Sequence, residues 1–143
     1  MSLTSEIVLI STLGLVSFTD LRDRVIPNRA LLGAVVVWLA FVAWSGGEEA
    51  VTHVVAAAVI SLPLLAAALF RPDGMGMGDV KLVAVIGLFL GWGAWVALLA
   101  GLFLASLTGV LISLGNRRPP GETALPLAPF LAAGVIISLI PLQ

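Results

Sequence analysis

Residues 80–115 read VKLVAVIGLFLGWGAWVALLAGLFLASLTGVLISLG, and this apolar stretch decides how many times the chain crosses a membrane. One membrane-spanning helix needs about 20 residues, so the stretch is too long for a single span. The segment Gly91-Trp92-Gly93-Ala94-Trp95 lies inside it and is typical of a tight turn. The stretch therefore predicts two helices that are joined at residues 91–95.

The overall composition indicates an integral membrane protein. Of the 143 residues, 60% are hydrophobic and 10% are charged, and the mean hydropathy is +1.17. A soluble domain of this length cannot bury so much apolar surface, because a small globule still exposes a large share of its surface to water. A lipid bilayer removes this difficulty, since the outer face of the protein can then remain apolar. We therefore expect one membrane-embedded domain that covers residues 1–143.

Short polar or Gly/Pro-rich connectors divide the rest of the chain into further helices. Besides the two helices within residues 80–115, apolar runs lie at about residues 3–20, 30–45, 50–70 and 125–141. No Lys or Arg precedes the first run, which favours a retained helix over a cleaved secretory signal. The sequence thus predicts an all-α, polytopic membrane protein with six transmembrane helices.

The basic residues favour six spans over five. With six spans, every Lys and Arg lies on one side of the membrane: Arg22, Arg24, Arg29, Arg71, Lys81, Arg117 and Arg118. The positive-inside rule makes that side cytoplasmic and places both termini outside. Five spans would move Arg117 and Arg118 to the opposite face. In the six-span topology Trp44, Trp92 and Trp95 lie at the outer interface, where indole rings are enriched.

Two aspartates lie at the cytoplasmic ends of two predicted helices. Asp20 ends the first helix and Asp79 begins the fourth, so the topology brings both carboxylates to one level of the membrane. Ionisable groups at membrane depth usually face the bundle interior or a water-filled cavity. Two converging carboxylates can share a proton, and one can then activate water while the other polarises a carbonyl. Ordinary interfacial charge is the alternative, with Asp79 as an N-cap.

Each aspartate belongs to a short motif. Residues 76–79 read Gly-Met-Gly-Asp, followed by Val-Lys-Leu, and residues 20–28 read Asp-Leu-Arg-Asp-Arg-Val-Ile-Pro-Asn. Glycines before an aspartate remove side-chain bulk, so an extended substrate backbone can come close. In these motifs and their order, the chain resembles the type IV prepilin peptidases and the related preflagellin peptidases, which are membrane aspartyl peptidases with a GxGD motif.

The resemblance implies a set of site residues and a substrate. Asp20 and Asp79 would form the catalytic pair, and Gly76 and Gly78 would shape the backbone that faces the substrate. Lys81 is placed to steady the pair or the substrate, and its alternative role is to snorkel to the inner interface. The substrate would be a pilin-like precursor, cut after a glycine and before a hydrophobic helix. Cleavage would occur at the cytoplasmic face of a bacterial or archaeal cytoplasmic membrane.

The chain contains no cysteine and a single histidine, His53, and this composition limits the catalytic mechanisms and metal sites that are available. Thiolate catalysis and Cys-ligated zinc are excluded, and we expect neither a metal nor another cofactor at the aspartates. His53 falls near the outer end of the third helix and is given no role in the site. Larger members of the family with paired cysteines also methylate the new amino terminus, so we expect peptidase activity alone here. No basic patch suggests nucleic acid, and the sequence does not set the oligomeric state.

Two other functions remain open at the level of the sequence. Signal-peptide-peptidase and presenilin-like enzymes also use GxGD but cut within transmembrane helices. Their first aspartate follows a tyrosine, whereas Thr19 precedes Asp20 and this chain has no tyrosine. A non-enzymatic carrier or assembly subunit would use the aspartates to bind a proton or a cation. Carriers place charges or broken helices near the membrane midplane, whereas these acids lie near one face.

Overall fold

The chain folds as a bundle of α-helices. The computed structural model describes residues 3–70, 76–116 and 125–140, and no strand occurs within these ranges. The six α-helices found there are α1 (Leu3–Asp23), α2 (Asn28–Ser45), α3 (Ala50–Phe70), α4 (Met77–Leu90), α5 (Ala94–Asn116) and α6 (Ala128–Leu139). The predicted all-α class is confirmed.

A short 3₁₀ helix, Gly91–Gly93, separates α4 from α5 at the predicted turn. Gly91 has a φ of +55°, a backbone conformation that side-chain-bearing residues rarely adopt. A Cβ atom at this position would also lie 3.1 Å from the ring of His53 on α3. The break between the two helices therefore depends on glycine for both its backbone angle and its space.

Four stretches of the described chain are long and apolar enough to cross a membrane: Thr4–Asp23, Asn28–Ser45, Ala50–Phe70 and Met77–Gly115. The last contains both α4 and α5, and its 39 residues exceed what one crossing needs. Helix α6 has 12 residues and is about 18 Å long, shorter than a typical hydrocarbon core. The membrane class is thus supported, while the count of six crossings stays a prediction.

Glycines let neighbouring helices approach closely. A Cβ atom on Gly87 of α4 would collide with the backbone of Ala57 on α3, and one on Gly134 of α6 would collide with the Ala97 carbonyl on α5. Small residues at helix contacts are the usual means by which membrane helices pack, since lipid offers no hydrophobic drive between them. The α3–α4 and α5–α6 pairs are accordingly the most intimate contacts of the bundle.

Large apolar side chains cover the outside of the bundle as well as its core. Leu9, Ile60 and Leu131 are fully buried, whereas Leu15 and Leu99 are more than half exposed. Such an outer surface would favour aggregation in water, but it is compatible with contact with lipid. The distribution therefore agrees with a membrane-embedded domain.

The helix ends collect at two ends of the bundle. One end, here called the aspartate end, gathers the last turn of α1 and the first turns of α2, α4 and α6. At the opposite end, Thr4 of α1, Trp44 of α2, Ala50 of α3 and Phe89 of α4 line one cavity of about 430 Å³. The exposed indole of Trp92 belongs to the 3₁₀ helix that follows α4.

Candidate active site

Asp20 lies inside the last turn of α1, which continues to Asp23 and so runs three residues beyond the predicted helix end. Its residue is 7% exposed, and it is the one buried polar or charged residue among the described segments. Its Oδ2 accepts a hydrogen bond of 3.1 Å from the backbone N–H of Ala128. A carboxylate inside a membrane bundle needs such a partner, because an unpaired buried charge is costly.

The partner of Asp20 is the amino-terminal turn of α6. The first helical bonds of α6 run from Phe130 and Leu131 to the carbonyl of Leu127, so the Ala128 N–H has no partner within its own helix. Pro129, the next residue, has no N–H to satisfy. Asp20 therefore satisfies the free donor at the start of α6, where a helix dipole also favours negative charge.

Asp79 is the third residue of α4, and Gly76 caps that helix in an extended conformation. The Asp79 N–H donates to the Gly76 carbonyl at 3.1 Å, and a Cβ atom on Gly76 would lie 3.2 Å from Oδ2 of Asp79. Asp79 is therefore not the N-cap of α4, as the alternative interpretation had it, although an acid in the first turn still complements the helix dipole.

The two carboxylates lie at the same end of the bundle, where α1 and α4 contact each other. Asp79 is half-buried beside the buried Asp20, close enough for the charge of Asp20 to act on it. Capping α4 does not require a second acid beside Asp79, and capping α6 does not require one beside Asp20. Two neighbouring carboxylates can hold one proton between them, which suits general acid–base chemistry on a water molecule and a carbonyl group.

The two motifs contact each other as well. A Cβ atom on Gly78 would lie 3.0 Å from Cβ of Ile26, which belongs to the turn between α1 and α2. Glycine at position 78 is thus explained by the docking of this turn against α4. Gly76 is exposed, and among the described residues the side chain nearest to its Cβ position is that of Asp79. The expected contact of both glycines with a substrate stays a prediction.

Lys81 joins α4 to α2 at the same end of the bundle. Its Nζ donates a hydrogen bond of 3.1 Å to Oδ1 of Asn28, the first residue of α2. The side chain is exposed, so this contact leaves room for further partners. The Ile-Pro-Asn turn therefore positions the start of α4 through two contacts, one at Gly78 and one at Lys81.

Several site contacts were not found from the sequence. The hydrogen bond between Ala128 and Asp20 joins residues that are 108 positions apart, and no local pattern reports such a pairing. Pro126 and Pro129 flank this part of the chain, but neither residue indicates which group Ala128 contacts. The partnership of Lys81 and Asn28 was missed for the same reason, although both residues lie in the quoted motifs.

The remaining polar groups lie outside this site. His53 contacts the Leu88 carbonyl through Nδ1 at 2.7 Å, toward the opposite end of the bundle. Asp23, the last residue of α1, forms an exposed pair with Arg22 at 3.9 Å, which is a weak surface contact. Within the described residues, no group of three or more His, Cys, Asp or Glu side chains could hold a metal ion. Arg71, Arg117 and Arg118, used for the topology, lie outside the described residues.

The chain was compared with protein-family profiles and with curated proteins, and both comparisons found matches. The profile of the type IV leader peptidase family matches residues 7–114, a range that includes both aspartates. The prepilin leader peptidase/N-methyltransferase of Bacillus subtilis (strain 168) is 34% identical over 149 residues, covering 98% of this chain and 56% of that protein. The protein of the same name from Pectobacterium carotovorum subsp. carotovorum is 32% identical, with 98% and 52% covered.

A third protein of that name, from Stutzerimonas stutzeri, is 28% identical over 93% of this chain and 48% of its own length. The chain thus spans about half the length of the curated relatives that it matches. No solved structure matches it.

Proposed function

Because the chain belongs to the type IV leader peptidase family, we propose that it is a membrane aspartyl endopeptidase that removes the leader of pilin-like precursors. The observation that best supports the proposal is that Asp20 and Asp79 lie at the same end of the bundle, near enough for the charge of Asp20 to act on Asp79. Both residues lie within the stretch that matches the family. Family membership also favours this function over an intramembrane-cleaving protease or a carrier.

The chemistry would be hydrolysis of one peptide bond. One carboxylate takes a proton from water as the water oxygen attacks the carbonyl carbon, and the protonated partner donates its proton to the carbonyl oxygen. The tetrahedral intermediate then collapses. The amide nitrogen receives a proton from the first carboxyl group as the C–N bond breaks, and the second carboxylate recovers its proton from a hydroxyl group of the intermediate, which becomes the new carbonyl. The products are a new carboxyl terminus and a new amino terminus.

The expected position of the site suits a substrate that is half in lipid. The positive-inside rule places the aspartate end at the cytoplasmic face, with both termini outside. There, a hydrophobic helix of the precursor could stay in the membrane while its soluble leader reaches the aspartates. The cut would follow a glycine and precede that helix. Gly76, Gly78 and Lys81, at the exposed start of α4, are the residues that we propose to contact the precursor.

Cleavage of a defined precursor by purified protein tests the proposal. We would incubate the protein in detergent with a precursor that carries a glycine–hydrophobic junction and locate the cut by mass spectrometry. Asp20→Asn and Asp79→Asn should each abolish cleavage. Asp23→Asn is the matched control, because Asp23 is an exposed acid one turn from Asp20 and should be dispensable. Normal cleavage by either catalytic variant would overturn the proposed pair.

The same measurement addresses methyl transfer. The relatives bear the name of a peptidase and an N-methyltransferase, and they are about twice as long as this chain. The expectation of peptidase activity alone stays a prediction. With S-adenosylmethionine present, the cleaved product should keep an unmodified amino terminus, and a product heavier by one methyl group would contradict it.

A further inference from the structure

An apolar groove runs along the outside of the bundle between α2 and α4. Its volume is about 440 Å³, within the range of small-ligand sites. Its wall consists of six apolar side chains: Leu31, Leu32, Val35, Ala84, Val85 and Leu88. Lys81 and Asn28, the remaining lining residues, lie at the aspartate end, since Asn28 begins α2 and Lys81 is the fifth residue of α4. The groove is therefore apolar along its length and polar at one end.

The polar end carries an ammonium group without an acidic partner. Among the described residues there are two ion pairs, Arg22–Asp23 and His53–Glu49, and Lys81 belongs to neither. Its hydrogen-bond partner is the neutral side chain of Asn28, whose Oδ1 accepts the bond. The amide NH₂ of Asn28 is then a second donor beside the ammonium group. Donors of this kind next to an apolar channel complement an anion with an attached hydrocarbon chain.

We propose that the groove binds an anionic phospholipid. The phosphate accepts hydrogen bonds from Lys81 and Asn28, and one acyl chain lies against Leu31, Val35 and Leu88. Charge supplies selectivity for an anionic headgroup, because each lysine near a membrane surface contributes about 1 kcal/mol toward anionic lipid. The apolar wall supplies contact area. Lys81 is also among the residues proposed to contact the precursor, whereas the apolar wall has no part in the proposed peptide hydrolysis.

The direction of the groove argues against the hydrophobic helix of a precursor as its occupant. Successive residues of an α-helix are rotated by about 100°, so Lys81 and Asp79 project from nearly opposite faces of α4. A precursor helix in the groove would thus lie on the far side of α4 from the aspartates. In addition, α2 and α4 contact each other directly, and a third helix, about 10 Å wide, is too broad to enter between them. A single acyl chain is much thinner.

A lipid in this position would support the start of α4. Lys81 and Asn28 already join α4 to α2, and a phosphate that contacts both would hold the two helix starts together. Asp79 lies in the first turn of α4, so it belongs to the segment that the lipid would hold in place. The bound lipid should therefore raise the thermal stability of the protein whether or not a precursor is present.

Native mass spectrometry of the full chain tests the proposal. The protein in detergent is titrated with phosphatidylglycerol and, separately, with phosphatidylcholine of the same acyl chains. The unmodified protein should retain phosphatidylglycerol in roughly fivefold preference. Lys81→Gln should remove the preference. Arg22→Gln, which removes another exposed charge from the same end of the bundle, should keep it.

A second variant addresses the apolar wall. Ala84→Phe fills the groove and should weaken binding of both lipids, whereas Val96→Phe, on the exposed face of α5, should not. Thermal unfolding in detergent identifies which variants remain folded. If Lys81→Gln fails to fold, a folded Ala84→Phe protein that binds phosphatidylglycerol normally overturns the proposal. An unchanged preference in folded Lys81→Gln overturns it as well.

The substrate alternative is distinguished by competition. A synthetic apolar segment of a precursor should not displace phosphatidylglycerol, because it is expected on the other side of α4. Displacement that Ala84→Phe abolishes would assign the groove to the precursor instead. Lipid binding is measured without cleavage, so its failure leaves the proposed peptidase activity unaffected.

Discussion

The side chain of Asp20 has two tasks that can be separated by substitution. Its charge and its proton serve the proposed reaction, whereas its Oδ2 accepts the otherwise unpaired N–H of Ala128. Asparagine retains an acceptor at the same place but cannot exchange the proton. Alanine removes both functions and leaves a buried donor without a partner.

We therefore expect Asp20→Asn and Asp20→Ala to be equally inactive but unequally stable. The free energy of unfolding should be lower for the alanine variant than for the asparagine variant by about 1–3 kcal/mol, which is the cost of one unsatisfied buried group. Thermal unfolding of the two proteins in the same detergent measures this difference. Equal stability would mean that the bond between Ala128 and Asp20 contributes nothing to holding α6 in place.

Gly78 is the second position at which a change of one side chain should affect both stability and cleavage. Alanine there would bring its Cβ to 3.0 Å from Ile26, so the turn before α2 would have to move. We expect Gly78→Ala to cost about 1–3 kcal/mol of stability, as overpacking does, and to lower cleavage by displacing the start of α4.

The matched control for Gly78→Ala is Gly33→Ala in α2, where a Cβ atom meets nothing within 4 Å. This change should be neutral or should stabilise the helix by up to about 1 kcal/mol, since alanine favours helices over glycine. Unfolding and cleavage assays on both variants separate packing at Gly78 from a general effect of replacing glycine. A fully active and stable Gly78→Ala protein would contradict the contact with Ile26.

At the scale of the helices, sequence reasoning identified the apolar runs but not all of their ends. Apolar length predicted α2, α3 and the break at residues 91–95, because those features are local. Helix α1 continues past Asp20 because Leu21, Arg22 and Asp23 are compatible with a helix, and it ends where Arg24 adopts a φ of +52°. No local rule predicts that a polar turn extends a helix rather than closing it.

The residues of the candidate site could be predicted in part, as the helices could. Asp20 and Asp79 could be proposed from motif and topology, because alternating helix directions bring their two helix ends to one level. Their partners could not be found in this way. The N–H of Ala128 reaches Asp20 only because α6 packs closely on α5 and beside α1, and that packing depends on contacts distant in the sequence.

The close packing of α6 on α5 leads to a prediction for Gly134. A Cβ atom here would collide with the Ala97 carbonyl, so Gly134→Ala should push α6 away from α5 and shift Ala128 relative to Asp20. We expect a loss of about 1–3 kcal/mol in stability together with reduced cleavage. Gly14→Ala in α1, where a Cβ atom meets nothing within 4 Å, should change neither quantity by comparison. Full activity of Gly134→Ala would separate the position of α6 from the function of Asp20.

At the scale of the whole molecule, the topology links the fold to the proposed function. The precursor can be cut at the cytoplasmic face only if the aspartate end lies there. The positive-inside rule predicts this orientation, and six crossings would keep Arg117 and Arg118 on the same side as Arg22. The exposed Trp44 and Trp92 at the other end are placed as interfacial anchors usually are.

Cysteine labelling in intact cells tests this topology, since the chain has no cysteine of its own. We expect Glu48→Cys and Trp92→Cys to react with a membrane-impermeant maleimide from outside the cell. Arg22→Cys and Gly115→Cys should react only after the membrane is permeabilised. Each variant should first be shown to cleave a precursor or, failing that, to unfold cooperatively in detergent.

Gly115, near the end of α5, decides the number of crossings. If residues 80–115 crossed the membrane once, Asp79 and Gly115 would lie on opposite sides, and Gly115→Cys would label from outside. If they cross twice, Gly115 returns to the side of Arg22 and stays protected, while Trp92 at the 3₁₀ break is labelled. Protection of Trp92→Cys in intact cells, or labelling of Gly115→Cys there, would therefore reject six crossings. Labelling of Arg22→Cys from outside would instead place the aspartates on the wrong face for a cytoplasmic leader.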